Sequence, residues 1–236
     1  MGSMLTINNI NTFYGHSHVL YNVSLEVPEA NVVALLGRNG VGKTTTLRSV
    51  MGLTPANDGS IVFSGEDITH TSSHVIAQKG MGYVPQGRRL FTSLTVKEHL
   101  AVYHRKGIDG SDVWTPERAL EFFPRLKERY NSVGGALSGG ERQMLAIARA
   151  LVTNPKMIIM DEPTEGLAPQ IVKEVGKLIH KIKLQGFTIL LTEQKLRFAL
   201  GLADNVYLMS KGQIVHYSSP NELDENEEIK KLYLGI

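Results

Sequence analysis

A glycine-rich segment constrains the fold of this chain more than any other part of its sequence: Gly37-Arg38-Asn39-Gly40-Val41-Gly42-Lys43-Thr44. It fits the pattern G-x-x-x-x-G-K-[ST] at every fixed position. The run before it, Val32–Leu36, is apolar throughout, as in a buried strand, and residues 45–51 can begin a helix. The segment therefore predicts a phosphate-binding loop (P-loop) between a strand and a helix. A glycine-rich turn without a ligand is the alternative that this motif alone leaves open.

Each residue type in such a loop has its own task. Glycines let the backbone curl around phosphates, a lysine bridges the β- and γ-phosphates, and the hydroxyl after it binds Mg²⁺. We therefore expect Lys43 on the phosphates and Thr44 on the metal ion.

A second anion site is indicated downstream by Leu137-Ser138-Gly139-Gly140-Glu141-Arg142-Gln143. A Ser-Gly-Gly turn that opens a helix leaves backbone N–H groups free, and the helix dipole favours negative charge there. Ser138 also fits a plain helix N-cap, because an apolar helical stripe follows it at Met144, Ile147, Ala148 and Leu151. One monomer cannot easily hold one nucleotide at both places. The two motifs together therefore predict an ATPase that dimerises around ATP.

Composition excludes several other classes of protein. The chain has 236 residues, 42% of them hydrophobic, which is enough for one well-filled domain with a subdomain. Its 25 basic residues nearly balance 23 acidic ones, so nucleic acid is not indicated. Cysteine is absent, which excludes disulfides and thiolate metal sites, and no apolar run approaches the roughly 18 residues that cross a bilayer. We expect a cytosolic chain in which residues 1–3, ahead of Met4, are a cloning scar outside the fold.

The order of the predicted elements indicates an α/β fold. Short strands come first and suggest an antiparallel sheet, a helical region follows, and strands and helices then alternate, which predicts parallel pairing. Residues 106–115, rich in Gly and Asp, interrupt the helical region, which we interpret as an inserted subdomain. A polar tail ends the chain. The predicted strands are residues 5–9, 19–27, 61–63, 81–84, 157–161, 188–192, 205–209 and 214–217, and the predicted helical regions are 95–152 and 169–184.

With the apolar run that ends in Asp161-Glu162, these motifs resemble the ATP-binding cassette (ABC) ATPases from about Met4 onward. Within them, the chain is similar to the second ATPase subunit of importers for branched-chain amino acids, urea and related amides. The segments that carry this finer resemblance are Val84-Pro85-Gln86-Gly87-Arg88, Glu165-Gly166-Leu167-Ala168-Pro169, Thr192-Glu193-Gln194 and Tyr233-Leu234-Gly235.

The resemblance implies an α/β P-loop cassette. It would have a RecA-like mixed, largely parallel core (about 4–86 and 155–236), an N-terminal antiparallel β subdomain and an inserted helical subdomain (about 87–154). It also implies two transmembrane permease subunits, a second ATPase subunit in a homo- or heterodimer, an indirect solute-binding protein, and a peripheral place on the inner face of the cell membrane.

For the site, the resemblance implies ATP and Mg²⁺. Glu162 would be the general base, Asp161 would bind Mg²⁺ through water, Gln86 would reach both Mg²⁺ and the attacking water, and Gln194 would sense the γ-phosphate. Tyr14 would stack on adenine, and Ser138, Gly139 and Gly140 would close over the γ-phosphate of ATP on the other protomer. The expected nucleotide contacts are Tyr14, Gly37, Arg38, Asn39, Gly40, Val41, Gly42, Lys43, Thr44, Thr45, Ser138, Gly139 and Gly140, with Lys43 also catalytic.

Some of these residues also have ordinary structural interpretations. Tyr14 before a glycine can be a turn residue, Gln86 a polar residue after a proline, and the two acids a cap of the next helix. The chain also departs from the wider pattern, which has a histidine where Gln194 stands and often an aspartate at Ala168. Glutamine can donate a hydrogen bond but cannot carry a proton or charge.

Three functions are compatible with the sequence. The favoured one is the ATPase subunit of an importer of branched-chain amino acids, with urea or a short amide as the alternative solute. The others are a non-transport ABC-type ATPase acting on nucleic acid or ribosomes, and a nucleotide-binding regulatory subunit with little turnover.

Overall fold

A computed structural model describes residues 2–235. Met1, in the expected cloning scar, and Ile236, at the end of the expected cassette, lie outside the described residues. The chain forms two sheets, several helices between and around them, and a one-turn 3₁₀ segment at Gly134–Ala136. The strands are β1 Ser3–Tyr14, β2 Ser17–Pro28, β3 Val32–Leu36, β4 Asp58–Phe63, β5 Glu66–Asp67, β6 Met81–Val84, β7 Met157–Asp161, β8 Thr188–Glu193, β9 Asn205–Ser210 and β10 Gln213–Ser218. The helices are α1 Lys43–Val50, α2 Ser73–Gln78, α3 Val96–Tyr103, α4 Pro116–Phe122, α5 Pro124–Glu128, α6 Gly139–Leu151, α7 Pro169–Leu184, α8 Leu196–Leu200, α9 Pro220–Glu225 and α10 Glu227–Ile229.

The larger sheet has six strands in the order β10-β9-β3-β8-β7-β6. Its inner pairs are parallel, and only β10 runs antiparallel, beside β9. Strands β3 and β7 are buried at every residue, as expected for a parallel sheet covered on both faces. The smaller sheet is antiparallel, in the order β2-β1-β4-β5. The predicted α/β class, with a mostly parallel core and an antiparallel N-terminal sheet, is confirmed.

Parallel pairing sets the position of the candidate site. In the ladder, Leu36 lies opposite Glu193, Thr192 opposite Asp161, and Met160 opposite Val84. The carboxyl ends of β3, β8, β7 and β6 therefore meet at one edge of the sheet, where α/β proteins bind ligands.

Helices α3 to α6 lie between β6 and β7 in the chain, in the region predicted to be helical. Helix α6 begins with a capping box in which the Ser138 hydroxyl accepts from the Glu141 N–H and the Glu141 carboxylate accepts from the Ser138 N–H. Its predicted apolar stripe is buried, which confirms that stripe. Residues 106–115 are not helical, as expected.

Some predictions of element length were wrong. Strand β4 begins at Asp58, and not at the predicted residue 61, because Asp58 still pairs with Asn11 of β1. Strands β1 and β2 extend beyond 5–9 and 19–27, because Asn9 and Asn22 take positive φ (48° and 50°) at irregularities that let pairing continue past polar residues. Pairing begins at Ser3, opposite Pro28, so the expectation that residues 1–3 lie outside the fold was wrong for Ser3. The polar tail is also structured, since Ser219 caps α9 through a capping box. Sequence signals for this helix were present in Ser219-x-x-Glu222, with Pro220 at the first helical position.

Candidate functional site

The glycine-rich segment lies between β3 and α1, as predicted. Gly42 is the N-cap of α1 with φ 115°, a conformation that favours glycine, and no side chain caps the helix. A Cβ at Gly37 would lie 2.5 Å from the backbone oxygen of Met209, so this glycine is required for close packing on β9. The N–H groups of the first turn of α1 are thus left to an anion.

The other loop residues differ in exposure. Arg38, Asn39 and Gly40 are exposed, while Thr45 is buried in the first turn of α1. Val41 and Thr44 are half-buried. The solvent-facing part of the loop therefore lies on its N-terminal side.

Lys43 is buried, although residues 38–40 of the same loop are exposed. Its Nζ donates to the carbonyl oxygens of Gly37 (2.8 Å) and Arg38 (2.9 Å) and lies 3.0 Å from Glu162 Oε1. The side chains of Lys43 and Glu162 are only 3% and 6% exposed. The candidate phosphate ligand and the candidate general base thus form a buried ion pair.

Hydrogen bonds with Thr192 and Gln194 also hold Glu162. Its N–H donates to Thr192 Oγ1 (3.0 Å), and its backbone has a positive φ of 45°, which is uncommon for a glutamate. The Gln194 amide donates to Glu162 Oε2 (2.8 Å). Lys43 and Gln194 therefore each contact one carboxylate oxygen of Glu162. In this structure the hydrogen-bond partner of the Gln194 amide is Glu162.

Asp161 ends β7 beside the P-loop helix. Its Oδ1 accepts from Thr192 Oγ1 (2.8 Å) and Thr44 Oγ1 (3.1 Å). Its buried Oδ2 has no hydrogen-bond partner within residues 2–235. Burial raises the pKa of Asp161, although the Thr192 and Thr44 hydroxyls oppose that shift.

An unpaired carboxylate oxygen beside a hydroxyl fits Mg²⁺, a hard cation that prefers oxygen ligands. No cluster of three His, Asp or Glu side chains that could hold a metal occurs in the described chain. Mg²⁺ usually takes few protein ligands and keeps waters and substrate phosphates, so the predicted site at Thr44 and Asp161 needs no such cluster.

Gln86 follows β6 but does not contact Thr44 or Asp161. Its amide donates to Glu165 Oε2 (3.0 Å), and Arg88 donates to the Glu165 carbonyl oxygen (3.0 Å). The expected contact with the metal site is therefore not made in this structure. Gln86 instead joins the segment after β6 to the segment after β7.

Tyr14 ends β1 with 45% of its surface exposed, which leaves a ring face open for stacking. Partial burial opposes a fall in the pKa of Tyr14, but hydrogen bonds with Thr54 and Thr45 and the charge of Arg48 lower it. The hydroxyl thus faces α1 and the segment after it.

The structure does not bring Ser138, Gly139 and Gly140 to the P-loop. Ser138 is exposed at the start of α6. Gly140 is buried, and a Cβ there would lie 2.7 Å from a methyl of Ile171, so the glycine lets α6 approach α7. The start of α6, where the sequence predicts an anion site, is thus separate from the P-loop and exposed at Ser138.

Two supporting residues were missed from the sequence. The Thr192 hydroxyl contacts both acids, as an acceptor for the Glu162 N–H and a donor to Asp161. Glu193 is 2% exposed and accepts from the Thr164 N–H (3.1 Å), and burial raises its pKa. The sequence signal that could have identified them is their position: Thr192 and Glu193 end β8, a buried strand that pairs with the P-loop strand β3.

These features define a P-loop nucleotide-binding ATPase with a helical region inserted between β6, which Gln86 follows, and β7, which ends at Asp161. The family model described as "ABC transporter" matches residues 20–165. The chain belongs to this family of ATP-binding transporter proteins and is an ATPase. No helix within residues 2–235 is long and apolar enough to cross a membrane.

Several relatives match along their whole length. The chain is 41% identical over 235 residues to the high-affinity branched-chain amino acid transport ATP-binding protein BraG of Pseudomonas aeruginosa, covering 98% of this chain and 100% of BraG. It is 39% identical to the lipopolysaccharide export system ATP-binding protein LptB of Haemophilus influenzae, covering 99% of this chain and 98% of LptB. It is 37% identical to LivF of Archaeoglobus fulgidus, a probable branched-chain amino acid transport ATP-binding protein, covering 99% of both.

The fold is similar to that of solved cassettes. The ADP conformation of MJ1267, an ATP-binding cassette of an ABC transporter, has a TM-score of 0.85 and 28% identity, with 100% of both chains covered.

Proposed function

We propose that this chain is the ATP-hydrolysing subunit of an importer for branched-chain, hydrophobic amino acids. The observation that carries the proposal is the 41% identity with BraG across the whole of both chains. LivF, also named for branched-chain amino acid transport, supports the same solute. The segment Thr192-Glu193-Gln194 adds support through its resemblance to that importer branch.

A second candidate is a subunit of an exporter, because LptB is 39% identical over nearly its whole length. A urea or short-amide importer remains a third possibility from the sequence resemblance. The three differ in the transported molecule, which a cytoplasmic ATPase does not touch. The solute must therefore be tested with the complete transporter.

In the proposed mechanism ATP lies across the P-loop, with Tyr14 stacked on adenine. The N–H groups of the loop and of the first turn of α1 bind its phosphates, and Lys43 moves from its backbone acceptors to the β- and γ-phosphates. That movement frees one oxygen of Glu162 to accept a proton from the attacking water. Gln194 holds the other oxygen at 2.8 Å and so fixes the orientation of the base.

Mg²⁺, held by Thr44 and Asp161 and by Gln86 after it leaves Glu165, would supply charge stabilisation for the phosphates. Thr192 fixes both acids through one hydroxyl, so the general base and the metal ligand keep a constant spacing.

Two cassettes are needed in this proposal. The segment Ser138-Gly139-Gly140 is exposed at Ser138 and lies apart from the P-loop of its own chain, so it would bind the γ-phosphate on a partner cassette. The partner is a second ATPase subunit, identical or related. The pair would lie at the cytoplasmic face of the membrane on two permease subunits, and a solute-binding protein would deliver the amino acid to the permeases.

The test is solute uptake by the complete transporter. We would reconstitute the chain with its permease subunits and binding protein in vesicles and measure uptake of labelled leucine, urea and acetamide with ATP inside. Leucine uptake that is lost in Glu162→Gln supports the proposal. Uptake of urea or acetamide without leucine, or ATP-driven release of lipopolysaccharide without uptake, would overturn it.

A further inference from the structure

A groove separate from the nucleotide site lies between α7 and α8 and has a volume of about 790 Å³. Its lining is mainly apolar, from Val172, Phe198 and Leu202 among others. Leu202 is buried, while Val172 and Phe198 are half-buried, so apolar atoms face solvent along the groove. Such a concave apolar surface is suited to binding.

Gly176 gives the groove its depth. It lies in the middle of α7, where glycine costs roughly 1 kcal/mol relative to alanine. A Cβ at this position would lie 3.2 Å from Cε2 of Phe198, so the missing side chain lets the Phe198 ring lie close to the helix.

The rim of the groove is basic. Lys173, Lys177 and Lys181 are exposed at four-residue intervals along α7, and Arg197 lies across the groove on α8. Within residues 2–235, none of these four cations has an acidic partner within 4.0 Å. A row of unpaired charges beside apolar surface indicates a partner with carboxylates beside apolar side chains.

We infer that this groove is the docking site for an acidic amphipathic helix of a partner protein. Successive lysines four residues apart lie about 6 Å apart along the helix axis. A facing helix with acids at every fourth residue repeats at the same distance, so three ion pairs can form together. Its leucine-like side chains would cover Val172 and Phe198, as in other helix-in-groove complexes.

Other anionic partners fit less well. A bilayer surface is flat and offers headgroups at no fixed repeat, whereas this surface is concave. Nucleic acid phosphates can match the charge but bury no aliphatic surface on the floor. The combination of periodic charge with an apolar floor therefore favours a helical peptide.

The test measures binding of a labelled, designed peptide of about 18 residues. It carries Glu at every fourth position and Leu on the adjoining face, and its control has the same composition in scrambled order. Lys173→Glu/Lys177→Glu/Lys181→Glu should weaken binding of the patterned peptide at least tenfold, by repulsion. The matched control, Lys97→Glu/Lys106→Glu/Lys127→Glu, makes the same charge change outside the groove and should leave affinity within twofold.

Gly176→Leu fills the floor without a change of charge and should also weaken binding at least tenfold. Melting temperature and ATP hydrolysis check that each variant folds. If Gly176→Leu does not fold, the lysine variants still decide the result.

The inference is overturned if the scrambled peptide binds as well as the patterned one, or if both triple variants lose affinity equally. It is also overturned if phosphatidylglycerol vesicles or an oligothymidine bind at this groove more tightly than the peptide.

Discussion

The buried pair of Lys43 and Glu162 makes a quantitative prediction about stability without nucleotide. Their charged atoms are 3.0 Å apart and both side chains are nearly inaccessible. At an effective dielectric constant of about 20, such a pair attracts by roughly 5 kcal/mol, most of which offsets the cost of removing both charges from water. Removal of one partner leaves that cost without compensation.

We expect Lys43→Ala to lower the free energy of unfolding by about 3 kcal/mol, because it strands a buried carboxylate. Glu162→Gln should cost about 1 kcal/mol, because Lys43 keeps its two carbonyl acceptors. The double variant should lose only about 2 kcal/mol, since no charge is then unpaired, which gives a coupling energy of about 2 kcal/mol.

The assay is urea unfolding of the four proteins without ATP or Mg²⁺, followed by both circular dichroism and fluorescence to test for a two-state transition. A matched control cycle uses the pair of Lys183 and Asp204. These atoms are 2.7 Å apart but the side chains are 24% and 36% exposed, so coupling should stay below about 1 kcal/mol. If the Lys43 and Glu162 effects add to within about 0.5 kcal/mol, the buried pair does not exist in solution and the reasoning fails.

Three further outcomes follow from the site. Asp161→Asn should abolish turnover yet raise the free energy of unfolding of the nucleotide-free protein by about 1 kcal/mol at pH 7. Because burial raises the pKa of Asp161, this advantage of the variant over the wild type should shrink as the pH falls towards 4. A constant difference in urea unfolding between pH 4 and 7 would contradict this. Gln194→Ala should slow ATP hydrolysis by roughly ten- to a thousandfold, because one preorganised hydrogen-bond donor is lost. Gln194→His should keep activity but make hydrolysis depend on pH near the imidazole pKa of about 6.5. Unchanged hydrolysis by the alanine variant in the complete transporter would remove Gln194 from the mechanism. Glu162→Gln with ATP and Mg²⁺, but not with ADP, should form dimers by light scattering, and a persistent monomer would favour a heterodimer.

Local sequence patterns were sufficient to predict much of the fold. Val32–Leu36 and Met157–Asp161 are apolar along their whole length, so they were recognisable as buried strands, and both have the predicted bounds. Helix α7 also has its predicted bounds, Pro169–Leu184, because proline marks its start and its apolar residues recur at helical spacing. By contrast, β1 was predicted short, because the positive φ of Asn9 that carries the strand past polar residues leaves no periodic signal.

The sequence by itself determined the class of chemistry. A P-loop, two acids after a buried strand and a Ser-Gly-Gly turn are contiguous patterns, because each depends on the conformation of a short stretch of backbone. They predicted an ATPase that dimerises around ATP, the resemblance they carry implied a cassette, and the roles of the site residues stay predictions.

Only the tertiary structure decided how these residues contact one another. Parallel register places the ends of β3, β7 and β8 side by side, which brings together Lys43, Glu162 and Gln194 from distant parts of the chain. Distances across strands also decide the burial of the Lys43–Glu162 ion pair and the hydrogen bonds of Thr192 with both acids. The same holds for the hydrogen bond from Gln86 to Glu165. Such distances are fixed by packing of the whole sheet, so no local stretch of sequence encodes them.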